Sequence, residues 1–195
     1  MLDNPIPQSA EELALRMIVL AAALMLDWLF GEPDMLWRRI PHPVVLFGRA
    51  IGLAEQFGNR RKAFHGLTRR RAGIGAMVVL APVAGFVGIG VSLGGVLAEL
   101  VVLTILLAGR SLDDHIRAVS LALGENKQAA RDTVAMIVGR DTNRMDDADI
   151  ARAAIETGAE NLSDGVIAPA FWFLLLGLPG LMIYKMTNTA DSMIG

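Results

Sequence analysis

Residues 72–98 read AGIGAMVVLAPVAGFVGIGVSLGGVLA, twenty-seven positions without a charge, and after Glu99 the apolar run resumes over 100–109 as LVVLTILLAG. A single helix over this stretch would far exceed the ~20 residues that cross a bilayer. The cluster Ser92-Leu93-Gly94-Gly95 supplies a turn. The stretch therefore predicts a helical hairpin, one crossing over about 72–91 and a second over about 96–112 through Glu99. Working outward, residues 13–30 form another apolar run of about the minimum spanning length, with Arg16 near one end and Asp27 near the other. Acidic Asp3, Glu11 and Glu12 stand where a signal peptide would be basic, so this run reads as a membrane helix.

Composition agrees. Of 195 residues, 53% are hydrophobic and 19% charged, below the ~25% charged of ordinary soluble domains, and mean hydropathy is +0.47. Disorder is excluded by that apolar content. A net charge of −2 argues against a nucleic-acid partner. The absence of Cys removes disulfides, thiolate zinc sites and cysteine nucleophiles together. Residues 31–71 hold nine Lys/Arg and residues 110–164 hold seven. Cytoplasmic loops are the ones enriched in Lys and Arg, so both basic loops belong on that side, two passes apart, with the N-terminus external. The expected fold class is all-α: one polytopic integral membrane domain over 1–195, in contact with the bilayer, with helical cytoplasmic loops.

Residues 165–184 are uncharged but punctured by Pro169 and by Gly177-Leu178-Pro179-Gly180. The segment reads as a broken helix or a re-entrant hairpin, with the hairpin favoured, and such backbone is tolerated only inside protein or beside a cavity. A hairpin would return Lys185 to the cytoplasmic side. The loop 110–164 predicts three helices. Leu112, Ile116, Val119 and Leu123 set the first; a second covers 127–138; the third has Asp146 as N-cap with Asp149 three residues on, and runs to about Glu160.

In that third helix Arg152, Glu156 and Glu160 repeat at four-residue spacing, and Asp164 continues the step. Three carboxylates on one ridge suit Mg²⁺, which takes one or two carboxylates plus substrate phosphates. The plain alternative is a solvated face with an Arg152–Glu156 pair. Gly139-Arg140-Asp141-Thr142 offers a guanidinium in a turn, fit for phosphate or carboxylate, or is an ordinary Asx-capped turn. Asn188, Asp191 and Ser192 can bind metal or a polar substrate, or simply open another helix. His42, held between Pro41 and Pro43, is a proton-transfer candidate or a structural histidine. Asp27 is a functional candidate because carboxylates inside a membrane are costly, unless it reaches water at the interface.

Several blocks resemble one family. Asp27-Trp28-Leu29-Phe30-Gly31-Glu32-Pro33, Pro41-His42-Pro43-Val44 and Gly48-Arg49 are similar to the opening of the cobalamin-biosynthesis CobD/CbiB proteins. The likeness continues in Arg110-Ser111-Leu112 with His115 and in Val138-Gly139-Arg140-Asp141-Thr142. It is densest in Arg152-Ala153-Ala154-Ile155-Glu156, Ala159-Glu160-Asn161, Asp164-Gly165-Val166-Ile167-Ala168-Pro169, Tyr184-Lys185 and Asn188-Thr189 through Asp191-Ser192-Met193. The resemblance implies a bacterial inner-membrane adenosylcobinamide-phosphate synthase, of which this chain corresponds to the N-terminal part.

The implied reaction joins the corrinoid adenosylcobyric acid to aminopropanol or its phosphate through an amide bond, with ATP and Mg²⁺. The resemblance implies base or metal work for Glu156, Glu160 and Asp164, with Asp191 as a further metal ligand and His42 for proton transfer. Substrate or phosphate binding falls to Arg49, Arg110, Arg140, Asp141, Thr142, Asn161, Lys185, Asn188 and Ser192. Other cobalamin-assembly enzymes are the expected protein partners. Two alternatives stand beside this reading: an intramembrane Mg-dependent prenyl or phospho-alcohol transferase, and a transporter or channel subunit using the broken segment as a half-helix site.

Overall fold

The computed structural model describes residues 6–31, 37, 41–59, 66–139 and 141–194, without the side chains of 57–59 and 66–69. Arg140, from the anion-binding turn, lies outside the described residues. Helix α1 (Ala10–Phe30) starts where the Ser9 hydroxyl accepts a hydrogen bond from the Glu12 amide at 3.2 Å. Glu11 and Glu12 sit at its positive end. It stops at Gly31, whose φ of +56° is a left-handed conformation that glycine adopts at little cost.

Then follow α2 (Pro43–Asn59), α3 (Gly66–Ser92), α4 (Val96–Leu106), α5 (Gly109–Glu125), α6 (Lys127–Ala135) and α7 (Asp147–Leu162). A π-helical turn, Ser163–Ile167, leads into α8 (Ala168–Ile194). The described residues contain no strand. Among the described residues, three helical runs are long and apolar enough to cross a membrane: Ala10–Phe30, Arg70–Ser92 and Asp147–Ile194.

The third run is not one rod. Gly177 sits at φ +66° and ψ −157°, outside helical space, with Pro179 two residues on. The Asn188 amide reaches the Asp164 carboxylate at 2.9 Å, whereas 24 residues of straight α-helix would separate them by about 36 Å. Residues 168–176 and 178–194 are therefore the two legs of a hairpin with its tip at Gly177. Glycines let the tip close and dock. A Cβ on Gly180 would meet the Trp172 carbonyl of the opposite leg at 2.8 Å, and one on Gly88 of α3 would lie 2.7 Å from the Pro179 Cα.

Two separate cores result. The larger joins Val19 and Ala23 of α1, Phe47 and Ile51 of α2, Leu103 and Leu106 of α4, and Phe173, Leu178 and Leu181 of the hairpin. Around it, Ile18, Met25, Val78, Val79 and Phe86 face outward with nothing over them. The second core packs Val119 and Ala122 of α5 against Ala130 and Val134 of α6 and Ile150 and Ala153 of α7. Here α7 begins at a reciprocal capping box. The Asp146 carboxylate accepts from the Asp149 amide at 2.8 Å, and Asp149 returns the bond at 3.3 Å.

Four features differ from the sequence reading. The crossing expected over 96–112 ends as a helix at Leu106, because Leu107 is extended and a new helix starts at Gly109. Asp27 drives that start: buried on α1, its carboxylate accepts from the amides of Gly109 at 2.8 Å and Arg110 at 3.2 Å. Its role is thus a helix cap supplied from a distant helix. The segment 31–71 is not wholly an aqueous loop, since α2 buries Phe47 and Ile51, which with Val44 recur at three- and four-residue steps. Finally α6 stops at Ala135, short of 138, in a turn over Met136 and Ile137.

Candidate functional site

At the mouth of the hairpin, opposite its tip, lies a cavity of about 390 Å³. Four segments build it, one of them the turn after α6 with Met136 and Ile137. The first turns of α5 present Ser111 and His115, four residues apart and so on one helix face. The end of α7 and the π-turn bring Asn161 and Asp164, and the returning leg brings Lys185 and Asn188. Main-chain bonds hold these parts together, since the Ala108 amide donates to the Gly165 carbonyl at 3.2 Å beside the Asp27 cap.

Asp164 is fixed from across the hairpin. Asn188 donates to one of its oxygens at 2.9 Å, and the Tyr184 hydroxyl lies 3.4 Å from the other and from the Asp164 carbonyl. Lys185 is buried beside them, 8% exposed, so a cation is set into the cavity wall. The His115 Nδ1 sits 2.6 Å from the Ser111 carbonyl. A carbonyl only accepts, so Nδ1 carries the hydrogen and Nε2 is left as the lone-pair nitrogen of the neutral ring. The assembly offers a cation, a carboxylate, two amides, a hydroxyl and an imidazole around one space.

Of the residues expected at a site, Asn161, Asp164, Lys185 and Asn188 line this cavity. The others stand elsewhere. Glu156 and Glu160 are exposed on α7 and do not line this cavity. The π-turn widens the helix after Leu162, and Asp164 within it meets Asn188 of the return leg. Among the described residues, no three His, Asp or Glu side chains are placed to share a metal ion. They do not fit a magnesium site built by protein carboxylates alone.

Arg110 holds Asp114 through Nε at 2.9 Å and the Trp28 carbonyl at 3.2 Å, with its guanidinium 5.8 Å from the Trp28 ring centroid. His42 caps α2: its Nδ1 accepts from the Val44 amide at 3.2 Å, which leaves Nε2–H to donate to the Ile105 carbonyl at 3.2 Å. Both ring nitrogens thus have structural partners, and the Trp37 ring stands edge-on to it at 4.4 Å. Asp141 accepts from the amide and side chain of Asn143 in an Asx turn, with Thr142 buried behind it. Arg49, Asp191 and Ser192 are exposed, and Ser192 donates to the Asn188 carbonyl at 3.1 Å.

Ser111, His115 and Tyr184 were not singled out for chemistry by sequence. The four-residue step from Ser111 to His115 was a usable signal for two of them. For Tyr184 the signal is its place in the Tyr184-Lys185 family block, while its nearness to Asp164 exists only once the hairpin closes.

An all-helical chain with three membrane-length runs and a polar mouth between a re-folded hairpin and a helical layer defines the class. The CobD/Cbib protein family model matches residues 20–195, and the chain belongs to that family. It is 46% identical over 191 residues to a protein of Brucella anthropi named cobalamin biosynthesis protein CobD, covering 93% of this chain and 58% of that one. The proteins of the same name from Rhizobium meliloti and Rhodobacter capsulatus are 45% and 42% identical, each covered to 57%. The chain thus spans less than two thirds of the length of the curated relatives it matches. No solved structure matches it.

Proposed function

We propose that the chain is an integral membrane protein of cobalamin biosynthesis and carries the site of an amide-forming ligase. The reaction is the joining of adenosylcobyric acid to aminopropanol or its phosphate, driven by ATP. The observation that carries this reading is the mouth cavity. Residues from blocks as far apart as Ser111 and Asn188 meet there around one space, in a chain of the CobD/CbiB family.

The chemistry asks for three things, and the mouth has groups suited to each. An anionic carboxylate and phosphate need a cation, which Lys185 supplies, and burial strengthens that attraction. The incoming ammonium must lose a proton before its nitrogen attacks the activated carboxyl carbon and phosphate departs. His115 Nε2, with Nδ1 committed to Ser111, is set to take that proton. Asn161 and Asn188 can hold amide and hydroxyl groups in place. A cavity of about 390 Å³ admits the propionate arm and the amino alcohol while the corrin ring stays outside, facing water. Magnesium belongs to this proposal as an ion that arrives on the nucleotide's phosphates.

The test is complementation. A bacterium lacking its synthase and supplied with the gene for the whole protein is expected to convert cobyric acid to cobinamide. A well-expressed protein that leaves cobyric acid unconverted overturns the reading. For orientation, a reporter fused near Gly94 is expected to score as external and one at Glu125 as cytoplasmic; the reverse result inverts the topology.

A further inference from the structure

A second cavity, about 490 Å³, lies at the tip of the hairpin. It is remote from the mouth: Arg16, which lines it, and Asp27, beside the mouth, are eleven residues apart on α1, or about 16 Å. Its wall is mostly apolar, from Pro82, Gly85, Phe86 and Ile89 of α3 and from the hairpin tip. Phe86 and Ile89 are also exposed on the outer surface of α3, so the space can be entered from the apolar surroundings of the helices.

Three polar side chains reach this space. Arg16 donates through Nη1 to the Leu174 carbonyl at 3.1 Å, which holds its guanidinium against the tip. Glu99 comes from the first turn of α4, close enough for its charge to act on Arg16. Ser92 ends α3, and its buried hydroxyl has no hydrogen-bond partner among the described residues. A buried hydroxyl without a partner is costly, and here it lines a cavity large enough for an occupant to provide one. Ser92 and Glu99 flank the turn at Gly95, and Arg16 lies in the second turn of α1, so all three sit near helix ends.

We propose that this cavity binds a zwitterionic phospholipid. The phosphate faces Arg16 and accepts from Ser92, the ammonium faces Glu99, and the acyl chains leave past Phe86 and Ile89. Opposite charges on one wall select this class. A phosphate that draws on Arg16 competes with Glu99, so the lipid must bring a cation of its own for Glu99. A zwitterionic headgroup has one and an anionic headgroup lacks it; a neutral diacylglycerol has no phosphate for Arg16. The site is independent of the cobalamin chemistry at the mouth.

Native mass spectrometry of the purified protein in non-ionic detergent tests it, with phosphatidylethanolamine, phosphatidylcholine, phosphatidylglycerol and diacylglycerol added in equal amounts. One zwitterionic lipid per chain is expected to be retained, at least about fivefold over the other two classes. Glu99→Gln and Arg16→Gln are each expected to remove that preference. Ile89→Trp, which fills the cavity and touches neither charge, is expected to abolish retention with helix content unchanged. Equal retention of all four lipids, or undiminished retention in Ile89→Trp, overturns the proposal.

Discussion

The Asn188 side-chain amide and the Asp164 carboxylate meet at 2.9 Å although 24 residues separate them. That bond latches the two legs of the hairpin at the mouth of the candidate site. A hydrogen bond to a charged group contributes about 1.5–3 kcal/mol, less where water competes. Asn188→Ala is expected to lower the unfolding midpoint in detergent and to cut cobinamide formation at least about tenfold, since ~1.4 kcal/mol of misplacement suffices for that. Asn188→Asp, which sets two carboxylates against each other, is expected to be worse. Full activity in both would show that the latch is not needed.

Gly88 and Gly90 make a matched pair on α3. A methyl on Gly88 would press on the Pro179 backbone at 2.7 Å, whereas Gly90 has nothing within 4 Å. Gly88→Ala is expected to cost about 1–3 kcal/mol as an overpacked contact. Gly90→Ala should be neutral or stabilising by up to ~1 kcal/mol, through helix propensity. Thermal unfolding of the two variants side by side reads the difference, and equal shifts would contradict the docking of the hairpin on α3.

Asp27 starts α5 from another helix. Asp27→Ala leaves the Gly109 and Arg110 amides without their acceptor, at a cost of about 1–3 kcal/mol for each group that stays buried. Hydrogen exchange at those two amides is expected to accelerate strongly. Asp27→Asn keeps an oxygen acceptor and should fall between. Unchanged exchange in Asp27→Ala would remove the cap.

Acid should loosen α7 first at its start. The Asp149 amide, bonded to the Asp146 carboxylate, holds that carboxyl below its ordinary range. A depressed folded-state pKa stabilises fully above the unfolded value of ~3.9 and is lost as pH falls through the folded value. Amide resonances of 147–150 are expected to shift over that acidic window and to stay nearly flat through neutral pH. In Asp146→Asn the acidic response of the Asp149 amide should shrink; an unchanged response there would place its cause elsewhere.

Much of the scaffold was legible because it depends on period and punctuation. The Asp146–Asp149 capping box, the apolar repeat of Leu112, Ile116 and Val119, and the breaker Gly177-Leu178-Pro179-Gly180 are local signals with local causes. Family blocks name Asn161, Asp164, Lys185 and Asn188, which the fold brings to one cavity. The ridge expected from Glu156 and Glu160 to Asp164 assumes an α-helix throughout, whereas a π-turn begins after Leu162. Asp27 is a candidate for chemistry as a carboxylate in an apolar run, and His42 as a ring held between two prolines. Their partners, the Gly109 amide and the Ile105 carbonyl, lie 82 and 63 residues away, and no local pattern encodes them.

The latch also bears on how the protein is made. The walls of the mouth come from Ser111 and His115 first and from Lys185 and Asn188 last. A nascent chain that has not yet reached Asn188 has a hairpin with one leg and no closed cavity. Closure of the candidate site therefore waits on the last leg of the hairpin, so the cavity is among the latest features of the chain to form.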